Sequence, residues 1–222
     1  MLAFDPENPF PLLKEEAHSY ADAQRHSAQV DLWLGFSGEL VEATIRHESY
    51  GSPLNDVQIW KDLPIQAMNT PYTEIRLILE ELQLKPGSKI LDLGCGYGRM
   101  AFVIGRHFPQ LHFTGYEIVA ERVIETNRVL KKFKYQNAGI SVQDLSRDDF
   151  SPPSADCYFI FDFGSRSAVE KTLQDLRKHA AAQPICIVAR GRGIRHAIYK
   201  SHPWLTQMHE PRTFRNFTIF RS

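Results

Sequence analysis

With 222 residues, 43% hydrophobic and 23% charged, the chain is long enough for one domain plus an extension and too apolar to be disordered. Its 13 Gly and 13 Pro exclude a fibrous or low-complexity chain. The 26 basic and 26 acidic side chains cancel in sum but not in place: residues 1–70 hold four basic and 11 acidic, residues 71–162 hold 11 and 12, and residues 163–222 hold 11 and three.

The start, Met1-Leu2-Ala3-Phe4-Asp5-Pro6, lacks the basic and apolar regions of a secretion signal. No stretch approaches the roughly 18 apolar residues that span a bilayer. A cytoplasmic protein with no membrane partner is expected. Leu12-Leu13, Ala17, Tyr20-Ala21 and Gln24 step at three and four and predict a first helix. Gly35-Phe36-Ser37-Gly38 breaks it, and a second helix runs from Glu39 to about Glu48. Tyr50-Gly51-Ser52-Pro53 then stops the chain's helical course, and residues 53–69, with Trp60 and Met68, read as an ordered loop. Residues 1–69 thus form an N-terminal helical extension.

Thr70-Pro71 reads as a helix start, with Thr70 as cap and Pro71 at the first position. Ile75, Ile78, Leu79 and Leu82 follow helical spacing until Lys85-Pro86-Gly87. Lys89 to Leu93 is a short apolar strand, followed at once by Gly94-Cys95-Gly96-Tyr97-Gly98 and an apolar helix from Met100 to Arg106. Leu111 to Glu117 is a second strand, and a helix carrying Val123, Asn127 and Leu130 follows. Gly139 to Gln143 and Asp156 to Phe163 are the third and fourth strands. Ser167-Ala168-Val169-Glu170 reads as a capping box opening a helix lined by Val169, Leu173 and Leu176. Pro184 to Arg190 is a fifth strand, Asn216 to Phe220 is strand-like, and the stretch around Trp204 to Met208 is the candidate to pair with it. Strands alternating with helices predict a parallel sheet covered on both faces, with its ligand loops at the C-terminal strand ends.

The sharpest signal is Asp92-Leu93-Gly94-Cys95-Gly96-Tyr97-Gly98. Alternating glycines after a buried strand permit positive φ and let a ligand lie against the backbone. Glu117 ends the second strand 19 residues past Gly98, where an acid accepts from ribose hydroxyls. Asp144, followed by Leu145, ends the third strand. Its side chain and the next backbone N–H suit adenine, although a polar run such as Asp144 to Asp149 also caps turns. The third glycine comes one residue earlier than in a dinucleotide fingerprint, and Asp92 opposes a phosphate but suits an ammonium group. Adenosine joined to a cationic amino-acid end, as in S-adenosylmethionine, fits these groups better than NAD. A non-catalytic or NAD-binding Rossmann-like module is the competing reading.

Ile90-Leu91-Asp92-Leu93-Gly94-Cys95-Gly96-Tyr97-Gly98, Gly115-Tyr116-Glu117, Gln143-Asp144-Leu145 and Ala155 to Phe161 resemble the successive motifs of the class I, seven-strand S-adenosylmethionine-dependent methyltransferases. The resemblance covers about residues 70–222. It implies a three-layer Rossmann-like α/β sandwich with a mostly parallel seven-stranded sheet and an antiparallel last strand. It also implies that Asp92, Gly94, Cys95, Gly96 and Gly98 hold the methionine part of the cofactor, Glu117 the ribose, and Asp144-Leu145 the adenine, with Ile118 among the cofactor-binding residues.

For the acceptor the fourth strand's end matters. Asp162-Phe163-Gly164 departs from the Pro-Pro-aromatic pattern of amino-purine methyltransferases, and no loop Cys other than Cys95 faces the cofactor for a covalent cytosine mechanism. Thr70-Pro71-Tyr72-Thr73-Glu74, with the glycine loop and Gly115-Tyr116-Glu117, is similar to the seven-strand protein-lysine methyltransferases. A protein side-chain amine is the first acceptor to expect, and RNA or a small molecule the alternative. Asp162 and Tyr72 are the candidate catalytic groups, able to orient an amine and accept its proton. Arg190, Arg192 and Arg195 lie in a glycine-jointed basic loop after the fifth strand. They are candidate substrate-binding residues, or else neutralise the acidic extension. Cys95, Cys157 and Cys186 read as reduced and buried. His196, His202 and His209 lack metal-ligand spacing, so no metal is expected. Neither composition nor motif bears on oligomeric state.

Overall fold

Ser19, not a residue near Leu12, starts the first helix of the computed structural model, which describes residues 2–48 and 63–222. The Ser19 hydroxyl accepts from Asp22 N at 3.1 Å and the Asp22 carboxylate accepts from Ser19 N at 3.4 Å. This reciprocal cap sets α1 at Tyr20–Leu34, and only a 3-10 turn, Glu15–Ala17, precedes it. Gly35, at φ +88°, ends α1, and α2 spans Gly38–Glu48. The expected stop at Tyr50 to Pro53 and the loop around Trp60 lie outside the described residues. Within the segment read as loop, Ile65–Met68 forms a short helix, α3.

Helix α4, Tyr72–Leu82, starts one residue after Pro71 and has no side-chain cap from Thr70. Ser27 of α1 replaces it: the Ser27 hydroxyl accepts from Tyr72 N at 3.1 Å. There follow β1 (Lys89–Leu93), α5 (Arg99–His107), β2 (His112–Glu117), α6 (Ala120–Phe133), β3 (Ala138–Val142) and β4 (Cys157–Phe161). Then come α7 (Arg166–Ala180), β5 (Cys186–Arg190), α8 (Arg192–Ser201), β6 (Arg212–Thr213) and β7 (Phe217–Arg221). Ser165, not Ser167, caps α7, accepting from Ala168 N at 3.2 Å. Trp204 does not enter a strand: Pro203–Leu205 is a 3-10 turn, Pro203 starting it, and Arg212–Thr213 pairs with β7 instead.

The seven strands form one sheet in the order β3-β2-β1-β4-β5-β7-β6. β1 to β5 run parallel, while β7 is antiparallel to β5 and β6. The inner strands are apolar runs because both sheet faces are covered. The two-residue period sends Ile90, Cys157, Phe159 and Val188 into the core beneath α4 and α5, and Leu91, Leu93, Tyr158 and Ile187 into the core beneath α7 and α8. Each fully buried Leu or Ile contributes about 1.5–3 kcal/mol. The extension shares the first core through Phe10, Val30 and Leu34. The same period puts Asp92 on that face, at the C-terminal end of β1, where the strand order reverses between β1 and β4. Open sheets of this kind carry their ligand crevice there. Among the described residues, no helix is long and apolar enough to cross a membrane.

Candidate active site

The loop after β1 is pinned to β2. Gly94 N and Cys95 N both donate to Tyr116 O at 2.9 Å, and Gly98 N donates back to Cys95 O at 2.8 Å. The glycines serve the fold as much as any ligand. A Cβ on Gly94, at φ +85°, would lie 2.7 Å from Phe163 Cβ, and one on Gly98 would overlap the Ile140 side chain. The space expected for a ligand against these two residues is therefore filled from β3 and from the loop after β4. Backbone and acids, not vacated Cβ positions, face the cleft beside the loop.

That cleft, about 690 Å³ and open to solvent, runs along the ends of β1 to β4. Gly94, Gly96, Glu117, Ile118, Asp144 and Leu145 line it together, and Asp162 closes its far end. A smaller space of about 320 Å³ adjoins it through Gly94, Met68 and Phe161 and is lined by Asp92 and Cys95. Of the nine expected cofactor residues, only Gly98 touches neither space.

The acids differ in what already holds them. Glu117 is buried; its Oε2 accepts from Gly96 N at 2.8 Å and its Oε1 from Val119 N at 3.0 Å. Asp144 Oδ1 accepts from Ser146 N and Oγ at 2.9 and 2.6 Å, a turn cap that leaves Oδ2 without a donor among the described residues. Asp92 is 6% exposed, and no hydrogen-bond donor among the described residues reaches its carboxylate. Burial, then the Glu117 charge, pushes its acid up to about 8. A buried carboxylate without a donor is costly unless a cation meets it, which fits the amino group of an amino-acid ligand. Burial, with the charges of Asp92 and Glu117, also holds the Cys95 thiol well above its ordinary range, so Cys95 is no nucleophile.

Two groups near the cleft lay outside the sequence expectations. Arg122, in the first turn of α6, lines it and is buried. Burial works against its charge, but hydrogen bonds to Glu42 and the Glu117 charge outweigh that and hold it above its ordinary value. Glu42, fully buried on α2, also accepts from Tyr97 Oη at 2.9 Å. Arg122 stands five residues beyond Glu117 and was legible as a strand-end neighbour. Nothing local marks Glu42.

The acceptor-side expectations change most. Tyr72 is fully buried and donates to Asp31 Oδ1 at 2.9 Å, beneath the Arg99 guanidinium 5.0 Å from its ring. Burial and Asp31 raise its phenol well above the ordinary range. It lines neither cleft and does not meet Asp162, because helix α1 claims it. Asp162 takes φ +28° and caps α8: Oδ1 accepts from Ile194 N at 2.6 Å and Oδ2 from Gly193 N at 3.1 Å. Arg190 is not on a loop. It ends β5, 4% exposed, paired with Glu74 Oε1 at 2.5 Å, bonded to Tyr20 Oη at 2.9 Å and stacked 4.1 Å over Phe161. Its cation is spent inside the fold. Arg192 and Arg195 stand on α8, Arg195 donating to Gly191 O at 2.9 Å. A third cleft of about 820 Å³ lies between the starts of α7 and α8 and shares Asp162, Phe163 and Gly164 with the first.

A seven-stranded sheet of this order with one reversed strand, a glycine loop after β1 and an acid ending β2 define a Rossmann-like α/β domain. Residues 90–183 match the family described as "Methyltransferase domain". Over these residues the chain is thus similar to a methyltransferase domain. It is 35% identical over 63 residues to cyclopropane-fatty-acyl-phospholipid synthase of Escherichia coli (strain K12), covering 28% of this chain and 16% of that protein. It is 30% identical over 71 residues to N-methyltransferase 4 of Papaver somniferum, covering 32% and 20%. The chain thus spans a fifth or less of these curated relatives. The crystal structure of precorrin-6y C5,15-methyltransferase from Geobacter metallireducens GS-15 superimposes with a TM-score of 0.51 at 18% identity, over 69% of this chain and 88% of that one, and shares the fold.

Proposed function

We propose that the protein binds S-adenosylmethionine in the cleft along β1 to β4 and methylates a side-chain amine of a protein acceptor, that of lysine. In this reading residues 70–222 carry out the transfer; the extension, expected to cover the acceptor side, bears on the donor cleft, which Met68 lines and Glu42 reaches through Arg122. When bound, the cofactor supplies a methyl group on a sulfonium centre, which is already a good leaving group. The protein's task is then positioning and exclusion of water.

Asp92 would take the cofactor's ammonium group, and its methionine part would lie against Gly94 and Gly96. Glu117 would accept from the ribose hydroxyls with the lone pairs that Gly96 N and Val119 N leave free. Ile118 and Leu145 would sandwich the adenine, and Asp144 Oδ2 would accept from its exocyclic amine. Asp162 orients the incoming amine. Its carboxylate is fixed by two backbone N–H groups and keeps lone pairs at the junction of two clefts, where it can hold the acceptor's proton.

The observation that carries the acceptor reading is that junction. Asp162, Phe163 and Gly164 belong to both the donor cleft and the cleft between α7 and α8. The second cleft has the apolar walls Val169, Ile194 and Ala197, which suit an aliphatic stem ending in a cation, with a carboxylate at its inner end. The test is labelling of a cell lysate by the purified protein with radiolabelled S-adenosylmethionine. Label removed by protease and kept through ribonuclease is expected. Label removed by ribonuclease overturns the amine acceptor.

A further inference from the structure

The charge imbalance of the sequence has a structural outcome. Acids of the extension pair with the middle of the chain: Asp31 with Arg99 and Glu42 with Arg122. In the C-terminal part, Arg190 and Arg212 are taken by Glu74 and Glu81 of α4, and Lys171 and Lys178 share Asp175. Arg166, Arg192 and Lys200 are exposed and have no acidic partner among the described residues.

These three are not scattered. Arg192, His196, Tyr199 and Lys200 are spaced by four, three and one on α8 and so lie along one face, opposite the buried Ile194 and Ile198. Tyr199 is 54% exposed although its ring edge rests on Phe220. Within the stripe His196 lines the cleft between α7 and α8, and Arg166 lines it from the first turn of α7. No acid occurs anywhere in α8. A ten-residue helix is about 15 Å long, the span of roughly four to five extended residues.

We infer that this face of α8 docks an acidic, extended segment of the protein acceptor, placing carboxylates next to the lysine that enters the cleft at Asp162. The inference rests on the amine-acceptor reading above and adds its sequence context. Charge complementarity carries it: Arg166 lines the cleft and Arg192 and Lys200 stand on the exposed face of α8 beside it, while the one acid lining the cleft, Asp162, awaits the lysine. A polynucleotide suits the surface less well. Phe163 is the one Phe, Tyr or Trp that lines the cleft, and the Tyr199 ring packs at a steep angle on Phe220, so no row of open aromatic faces stacks successive bases.

The test uses the full chain saturated with S-adenosylhomocysteine and three fluorescent probes: a peptide with one Lys among Glu residues, the same peptide with Lys in place of Glu, and oligouridylate. Anisotropy should show the acidic peptide binding at least about tenfold tighter than the basic one, with the preference shrinking as salt rises. The double variant Arg192→Glu, Lys200→Glu should lose that preference while binding S-adenosylhomocysteine as the parent does, which shows that it is folded. Equal binding of both peptides, or a preference unchanged in the variant, overturns the inference. So does oligouridylate that binds more tightly than the acidic peptide and is lost in the same variant. Labelling with S-adenosylmethionine separates the two claims. An acidic peptide that docks on α8 but takes no methyl on its lysine supports the surface and removes the amine acceptor.

Discussion

Arg122 and Glu42 form a two-point ion pair, Nε to Oε1 at 2.9 Å and Nη2 to Oε2 at 3.1 Å, that ties helix α2 of the extension to the donor cleft. The third guanidinium nitrogen, Nη1, lies 3.8 Å from Glu117 Oε1. One buried cation thus stands between a carboxylate of the extension and the carboxylate assigned to the ribose.

Removing Glu42 leaves Arg122 buried with Glu117 as its nearest anion. Glu42→Ala should destabilise the protein by about 3–5 kcal/mol, the usual cost of orphaning one partner of a buried pair. Glu42→Gln should cost less and keep the fold. In both, Arg122 closes on Glu117 and competes with the ligand, so S-adenosylhomocysteine should bind about tenfold more weakly to Glu42→Gln by calorimetry. Unchanged affinity in a destabilised Glu42→Gln would show that α2 supports the fold without reaching the donor cleft.

Asp92 gives the donor site a pH dependence of definite sign. Its acid is raised to about 8 by burial and by Glu117, so the free protein holds it protonated at neutral pH. An ammonium ligand needs the ionised form. Affinity for S-adenosylhomocysteine should therefore rise from pH 6 to about 8 and then level, and Asp92→Asn should flatten the profile. The linkage to stability runs the other way. A carboxyl whose pKa is raised on folding stabilises the free protein most at low pH, and that contribution is lost as pH climbs from about 4 to about 8. Thermal unfolding with and without ligand across this range measures both trends.

Asp162 has two separable tasks. As the cap of α8, its replacement by Ala should cost about 1 kcal/mol of stability, and Asp162→Asn less, since one oxygen still accepts. As the group that orients the amine, Asp162→Asn should lower kcat at saturating donor with little change in S-adenosylhomocysteine affinity. If transfer by Asp162→Asn matches the parent, the residue is a cap alone.

Arg190 contrasts with its neighbours on α8. Arg190→Ala leaves Glu74 buried with only Asn216, among the described residues, donating to it, and should lose about 3–5 kcal/mol in urea unfolding. Cofactor affinity per folded molecule should not move. A variant of normal stability that no longer binds acceptor would restore Arg190 to the substrate surface.

These contrasts show which parts of the molecule can be read locally. Ile90-Leu91-Asp92-Leu93 and the glycines behind it declare a buried strand and a tight loop within nine residues, and the sheet forms there. Boundaries set by short-range chemistry were legible but degenerate. Ser165 and Ser167 stand two apart, and either can cap α7; the backbone chose the first. The residues missed or misread are those with partners far along the chain. Glu42 meets Arg122 across 80 positions, Glu74 meets Arg190 across 116, and Tyr72 meets Asp31 across 41. Periodicity says that such residues are polar or aromatic, not that folding will pair them. Asp162 is intermediate. Its place at the end of β4 was evident, but its hydrogen bonds to α8 depend on a crossover that brings the next helix back over the strand end.

The central claim is that the strand-end acids hold S-adenosylmethionine. Calorimetric titration of the purified protein with S-adenosylhomocysteine and, separately, with NAD tests it most directly. Micromolar binding of S-adenosylhomocysteine is expected, lost in Asp92→Ala and in Glu117→Ala while both variants remain folded, with no binding of NAD. Binding of NAD with none of S-adenosylhomocysteine would contradict it.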